Sequence, residues 1–150
     1  LIREETPLLV IDLSQRKVVY KKREVDMTPS RLALYAFFAM RKRECSKDST
    51  NCRGCTDCYV EMEEILACQT QIADLYRRIT FSRDHAAMSD SGILGLTKAN
   101  FNSTKSKIRE ILQQGFGLHA LPEISIEGVG TKPDTRYGLK IDRDRIRVIL

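Results

Sequence analysis

From residue 8 the chain alternates. Leu9, Ile11 and Leu13 recur every second position, Ser14-Gln15-Arg16-Lys17 interrupts them, and Val18, Val19 and Tyr20 resume. A second basic break, Lys21-Lys22-Arg23, leads to Val25 and Met27. Successive side chains of a strand face opposite ways, so this pattern predicts a small antiparallel sheet of two or three short strands. Thr28-Pro29-Ser30 then changes the period. A Thr can accept from the orphan amides of a first helical turn, and Pro in that turn forfeits no hydrogen bond. A helix is predicted to about residue 43. Leu32, Leu34, Tyr35, Phe37, Phe38 and Met40 cover most of its circumference, which makes it the central core helix. Arg41, Lys42 and Arg43 complement the negative pole of its dipole.

Two further helices follow. Over 59–79, Ile65, Cys68, Ile72, Leu75 and Ile79 form one stripe, and Glu61, Glu63 and Glu64 lie in the first turns. A polar connection through Ser82, Asp84, Ser89, Asp90, Ser91 and Gly92 separates it from a helix over 97–114. That helix has the stripe Phe101, Ile108, Ile111 and Leu112, and Gly115 and Gly117 are expected to end it. The tail returns to period two at Ile124 and Ile126, loops through 128–135, and resumes at Tyr137, Leu139 and Ile141. A last strand holds Ile146, Val148 and Leu150. The expected class is α+β: an N-terminal antiparallel hairpin, three helices and a C-terminal β-hairpin. There is no internal repeat.

Composition narrows the function classes. A chain of 150 residues, 42% hydrophobic, is enough for one domain with a buried core, here spanning 1–150. The absence of Trp and a 7% aromatic share argue against carbohydrate recognition. The longest uncharged apolar run, 32–40, is half the roughly 18 residues of a membrane span. Glu4 and Glu5 are out of place in a secretion signal, which leads to a cytoplasmic expectation. A start at Leu1 reads as a piece of a longer protein.

The charge is uneven. Residues 1–44 hold ten Lys/Arg against six Asp/Glu, residues 45–94 five against eight, residues 95–120 four against one, and residues 121–150 six against five. Basic ends around an acidic middle suit a nucleic-acid-binding face, as they also suit a plain solvated surface, and the net +5 is modest.

Strands, three helices and a terminal hairpin resemble a winged helix-turn-helix domain. Val25-Asp26-Met27-Thr28-Pro29 is similar to the segment that opens the first helix in response-regulator effector domains. Ser106-Lys107-Ile108-Arg109-Glu110-Ile111-Leu112 resembles the end of their recognition helix, and Ile126-Glu127-Gly128-Val129-Gly130 their first wing strand and its turn. The cysteine-rich loop and the long second helix depart from that pattern. With them the chain resembles a CRISPR-associated family in which an N-terminal CARF sensor of cyclic oligoadenylate precedes a winged helix. The resemblance implies a DNA-binding domain, a homodimer, and a sensor domain in cis outside this chain. The other implied role is a protein–protein or dimerisation module of a CRISPR-associated effector or ring nuclease.

A winged helix places its third helix in the major groove. Helical spacing turns Asn102, Ser103, Ser106, Lys107, Arg109 and Gln113 away from the apolar stripe, with Lys98 and Lys105 beside them. Arg suits guanine, Asn and Gln suit adenine, and Lys suits phosphate. Lys132 and Arg136 of the wing are expected at the minor groove or a phosphate. The same residues would also make an ordinary solvated helix face.

Four of the five cysteines crowd into one loop: Cys45, Cys52, Cys55 and Cys58, with Gly54 between. C-x2-C turns present paired sulfurs to one point, and four thiolates leave a tetrahedral ion no open position. A structural zinc knuckle inserted at 45–58 is therefore expected. An iron–sulfur cluster is the lesser alternative, since no Cys-Pro follows. Free thiols remain open, while disulfides are disfavoured without a secretion signal. Cys68, on the stripe of the second helix, reads as a core residue.

No catalytic set is recognisable. His85 and His119 have no nucleophile at a telling spacing, Gly128-Val129-Gly130 lacks the rest of a phosphate loop, and Asp142 to Arg147 alternate like a charged strand edge. This chain is expected to be non-enzymatic, with nuclease activity left open for a longer protein.

Overall fold

The alternation at the head of the chain becomes a sheet. The computed structural model describes residues 8–45, 58–79, 96–131 and 135–150. Strands β1 (Leu9–Asp12), β2 (Lys17–Tyr20) and β3 (Arg23–Asp26) pair antiparallel in sequence order. Leu9, Ile11, Val18 and Tyr20 supply the buried face. The first turn is held by Asp12, whose Oδ1 accepts from the Ser14 and Gln15 amides at 3.0 and 3.1 Å and from the Ser14 hydroxyl at 2.7 Å. Lys21 and Lys22 make the second turn with φ of 50° and 71°, a left-handed backbone that costs a side-chain-bearing residue about 1 kcal/mol or more.

Helix α1 (Pro29–Arg43) begins where Thr-Pro predicts, although the Thr28 hydroxyl makes no cap hydrogen bond, and is buried continuously from Leu32 to Ala39. It packs against α3 (Gln69–Ile79), and less extensively against α4 (Lys98–Phe116) and the last strand. The long second helix expected over 59–79 is divided. Val60–Glu61 forms β4, α2 covers Met62–Ala67, and α3 starts after a break at Cys68. Strand pairing from Val60 to Tyr137 takes the first residues away from the helix. At the break the Cys68 amide is shared between the Glu64 and Ile65 carbonyls, which tightens the turn. Cys68 is only half-buried, and its sulfur accepts from Arg41 at 3.2 Å.

After α4, a 3₁₀ turn at Leu118–Ala120 and a short helix α5 (Leu121–Ile124) replace the strand expected at Ile124. Gly115 lies inside α4, and Gly117, at φ 96°, ends it. Strands β5 (Glu127–Val129) and β6 (Arg136–Gly138) form the C-terminal hairpin, and β4 joins it in a three-stranded sheet of order β4-β6-β5. The alternating charges at 142–147 do not run along one strand. Asp142 accepts from the Asp144 amide at 2.8 Å and starts a 3₁₀ turn at Arg143–Arg145, leaving Ile146–Ile149 as β7. β7 pairs parallel with β1, so the first sheet has the order β3-β2-β1-β7. Among the described residues no helix is long and apolar enough to cross a membrane.

Candidate nucleic-acid interface

Thr97 caps α4, its hydroxyl accepting from the Asn100 amide at 3.2 Å, and Gln69 of α3 donates to the Leu96 carbonyl just ahead. Phe101, Ile108, Leu112 and Phe116 anchor the buried face of the helix. Phe101 meets Tyr137 of β6 edge-on at 5.0 Å and tilts against Phe38 of α1 at 6.0 Å. The N-terminal half of α4 is thereby wedged between α1 and the hairpin.

The opposite face is the expected polar one. Lys98, Asn102, Ser103, Ser106, Lys107, Arg109 and Gln113 are exposed. Lys105 is half-buried, its ammonium 5.7 Å from the Tyr137 ring centroid, where the π face attracts it. Arg109 reaches Glu127 of β5 at 3.4 Å, and Ser125, buried, donates its hydroxyl to the same carboxylate. Arg136 is half-buried on β6, opposite Glu61 and Val129. Lys132 lies outside the described residues. Helix and hairpin thus form one surface, joined by Lys105–Tyr137 and Arg109–Glu127. The helix-face residues were readable from spacing. These two cross-links were not, since each partner sits on another element.

Of the four expected metal ligands, Cys45 and Cys58 are described and half-buried, while Cys52 and Cys55 lie outside the described residues. Among the described residues no group of three metal-ligating side chains occurs. Cys45 follows the end of α1 and its carbonyl accepts from Arg143 at 2.8 Å. Cys58 precedes Tyr59, whose ring lies 5.9 Å from the Lys42 ammonium. Lys42 is buried against that ring, so the triplet Arg41–Arg43 does more than complement a dipole. Tyr59 also packs on Gly138, where a Cβ would stand 2.4 Å from the ring. These contacts hold the two stems of the cysteine loop at one corner of the fold.

Arg41 joins α1 to the break between α2 and α3, donating to Glu64 at 3.0 Å as well as to Cys68. Beside it an open hollow of about 490 Å³ is lined by Phe37, Met40, Leu75, Asp74, Arg78 and the half-exposed Leu150. His119 is exposed, and His85 lies outside the described residues.

The architecture is an α+β fold whose exposed basic helix adjoins a β-hairpin. Comparison with protein-family models, with curated proteins and with solved structures returned no match.

Proposed function

We propose that this chain is a winged helix-turn-helix domain that binds duplex DNA, with α4 in the major groove and the β5–β6 hairpin as the wing. The observation that carries the reading is the continuous surface made by α4 and the hairpin. It presents Lys98, Lys107 and Arg109 for phosphate or guanine, and Asn102 and Gln113 for adenine edges, on a rigid mount. Nineteen residues give α4 a length of about 28 Å, ample to lie in a groove about 12 Å wide. In this reading the domain acts as a homodimer in a CRISPR-associated protein, and a cyclic-oligoadenylate-sensing CARF domain outside the chain controls it. In the same reading this chain is a non-enzymatic module. A structural zinc held by Cys45, Cys52, Cys55 and Cys58 closes the loop whose stems meet at the Lys42–Tyr59 corner.

The test is fluorescence anisotropy of a labelled random-sequence duplex at several salt concentrations. Log affinity is expected to fall with log salt by about 0.9 per neutralised phosphate. Lys107→Ala and Arg109→Ala are each expected to reduce that slope by about one. Absence of binding at low salt overturns the DNA reading. The weight then passes to a protein partner, for which the open hollow beside Leu150 is the surface to probe.

A further inference from the structure

Three described residues other than glycine have a left-handed backbone, and all three are cations: Arg16, Lys21 and Lys22. Lys21 and Lys22 form the whole connection between β2 and β3, since Tyr20 and Arg23 already pair across it. Positive φ at both central residues marks the type I′ hairpin turn, in which Asn-Gly is favoured because it adopts that geometry with least strain. Folding alone would therefore select other residues here. The chain instead places three consecutive cations at the tip.

Nothing on the hairpin neutralises them. Glu24 and Asp26, the acids of β3, are both turned to Lys17 at 2.6 and 3.6 Å, and that contact, the Glu24 hydrogen bond first, holds the Lys17 ammonium above its ordinary pKa. Among the described residues Lys21, Lys22 and Arg23 make no ion pair, and all three are exposed. The Lys21 ammonium lies over the neighbouring Tyr20 ring, 5.3 Å from its centroid.

The tip is also firmly placed. The Tyr20 ring meets Phe116, the last residue of α4, edge-on at 5.6 Å, and its hydroxyl donates to Glu123 at 2.6 Å. Val25 of the same hairpin lies against Gly115. The three cations thus stand at the C-terminal end of α4, seven residues past Arg109. That is about 10 Å along the helix axis, or about three base steps along one DNA strand.

We propose that the Lys21–Lys22–Arg23 turn is a second phosphate-backbone contact, gripping the same duplex beyond the end of α4. The proposal rests on the DNA reading of the α4 surface and adds the N-terminal sheet to it. A turn kept strained for its charge makes a distinctive prediction, because relieving the strain weakens the binding.

The experiment repeats the salt titration with K21N/K22G, which installs the favoured turn, with K21R/K22R, which keeps the charge, and with Arg23→Gln, which leaves the turn residues alone. K21N/K22G is expected to unfold at the same or a higher temperature while its salt slope falls by about two. Affinity at 150 mM salt should then drop by about 30-fold, from two contacts each scaling as salt to the power of about 0.9. Arg23→Gln should lower the slope by about one, and K21R/K22R should keep it. Unchanged slopes in K21N/K22G and Arg23→Gln, with Lys107→Ala and Arg109→Ala still lowering theirs, overturn the turn contact and leave the α4 reading standing. A wild-type chain that binds no duplex overturns both.

Discussion

Gly115 of α4 and Val25 of β3 leave no space between them: a Cβ on the glycine would stand 2.0 Å from Val25 Cγ1. A branched side chain on a paired strand has little freedom to yield. Gly115→Ala is therefore expected to destabilise the fold by about 1–2 kcal/mol, even though Ala favours a helix over Gly by about 1 kcal/mol. Adding Val25→Ala should recover part of the loss. A double-mutant cycle by urea unfolding measures the coupling.

Tyr35 is buried in the middle of α1 and its hydroxyl donates to the Ile124 carbonyl at 2.6 Å. Burial, reinforced by Tyr20, holds its phenol well above the ordinary value of 10. A raised folded-state value favours the neutral phenol. The stability it brings is complete below pH 10 and is lost as pH climbs past 10, where only the unfolded chain releases the proton. The expected slope there is about 1.4 kcal/mol per pH unit for this group. Tyr35→Phe should lose about 1–2 kcal/mol at pH 7, from the stranded carbonyl, and should flatten the alkaline decline. Urea unfolding at pH 7 and across pH 9–11 checks both.

Asp12 organises the β1–β2 turn through one carboxylate oxygen that accepts three hydrogen bonds. Asp12→Ala is expected to cost about 1 kcal/mol or more, while Asp12→Asn, which keeps an acceptor in place, costs less. Thermal unfolding of the two variants gives the order.

The cysteine loop makes a compositional prediction. Protein purified under reducing conditions should contain one zinc per chain by elemental analysis, without iron. Cys58→Ser should lose the metal, and chelation should lower the unfolding temperature of the wild type but not of the variant. Absence of both zinc and iron overturns the knuckle.

The sequence makes some of these features readable and hides others, for a physical reason. β1, β2, β3 and α1 follow from local signals: a two-residue period, polar breaks and Thr28-Pro29. The exposed face of α4 follows from helical spacing in the same way. β4 is different, since Val60 and Glu61 carry no strand signal and become a strand only by pairing with Tyr137 and Arg136. The break at Cys68 falls within an uninterrupted helical stripe. Asp142 caps a turn rather than extending an alternation. Lys42 reads as a surface cation until Tyr59 arrives to cover it. In each case the deciding partner is distant in sequence or the outcome rests on backbone geometry, and a local pattern carries neither.

β7 completes the first sheet only by finding β1, and Leu9 pairs with Ile146 across 137 positions, the difference of the two numbers. During synthesis β1 emerges well before β7 and waits, one edge paired to β2 and the other bare, until the residues up to β7 have been made. Long-range pairing of this kind slows folding, because a large loop must close before any contact rewards it. An unpaired strand edge is also where nascent chains join one another. The last four-residue strand therefore acts as the latch on the domain's assembly, and the interval before it closes is when the chain is most exposed to aggregation.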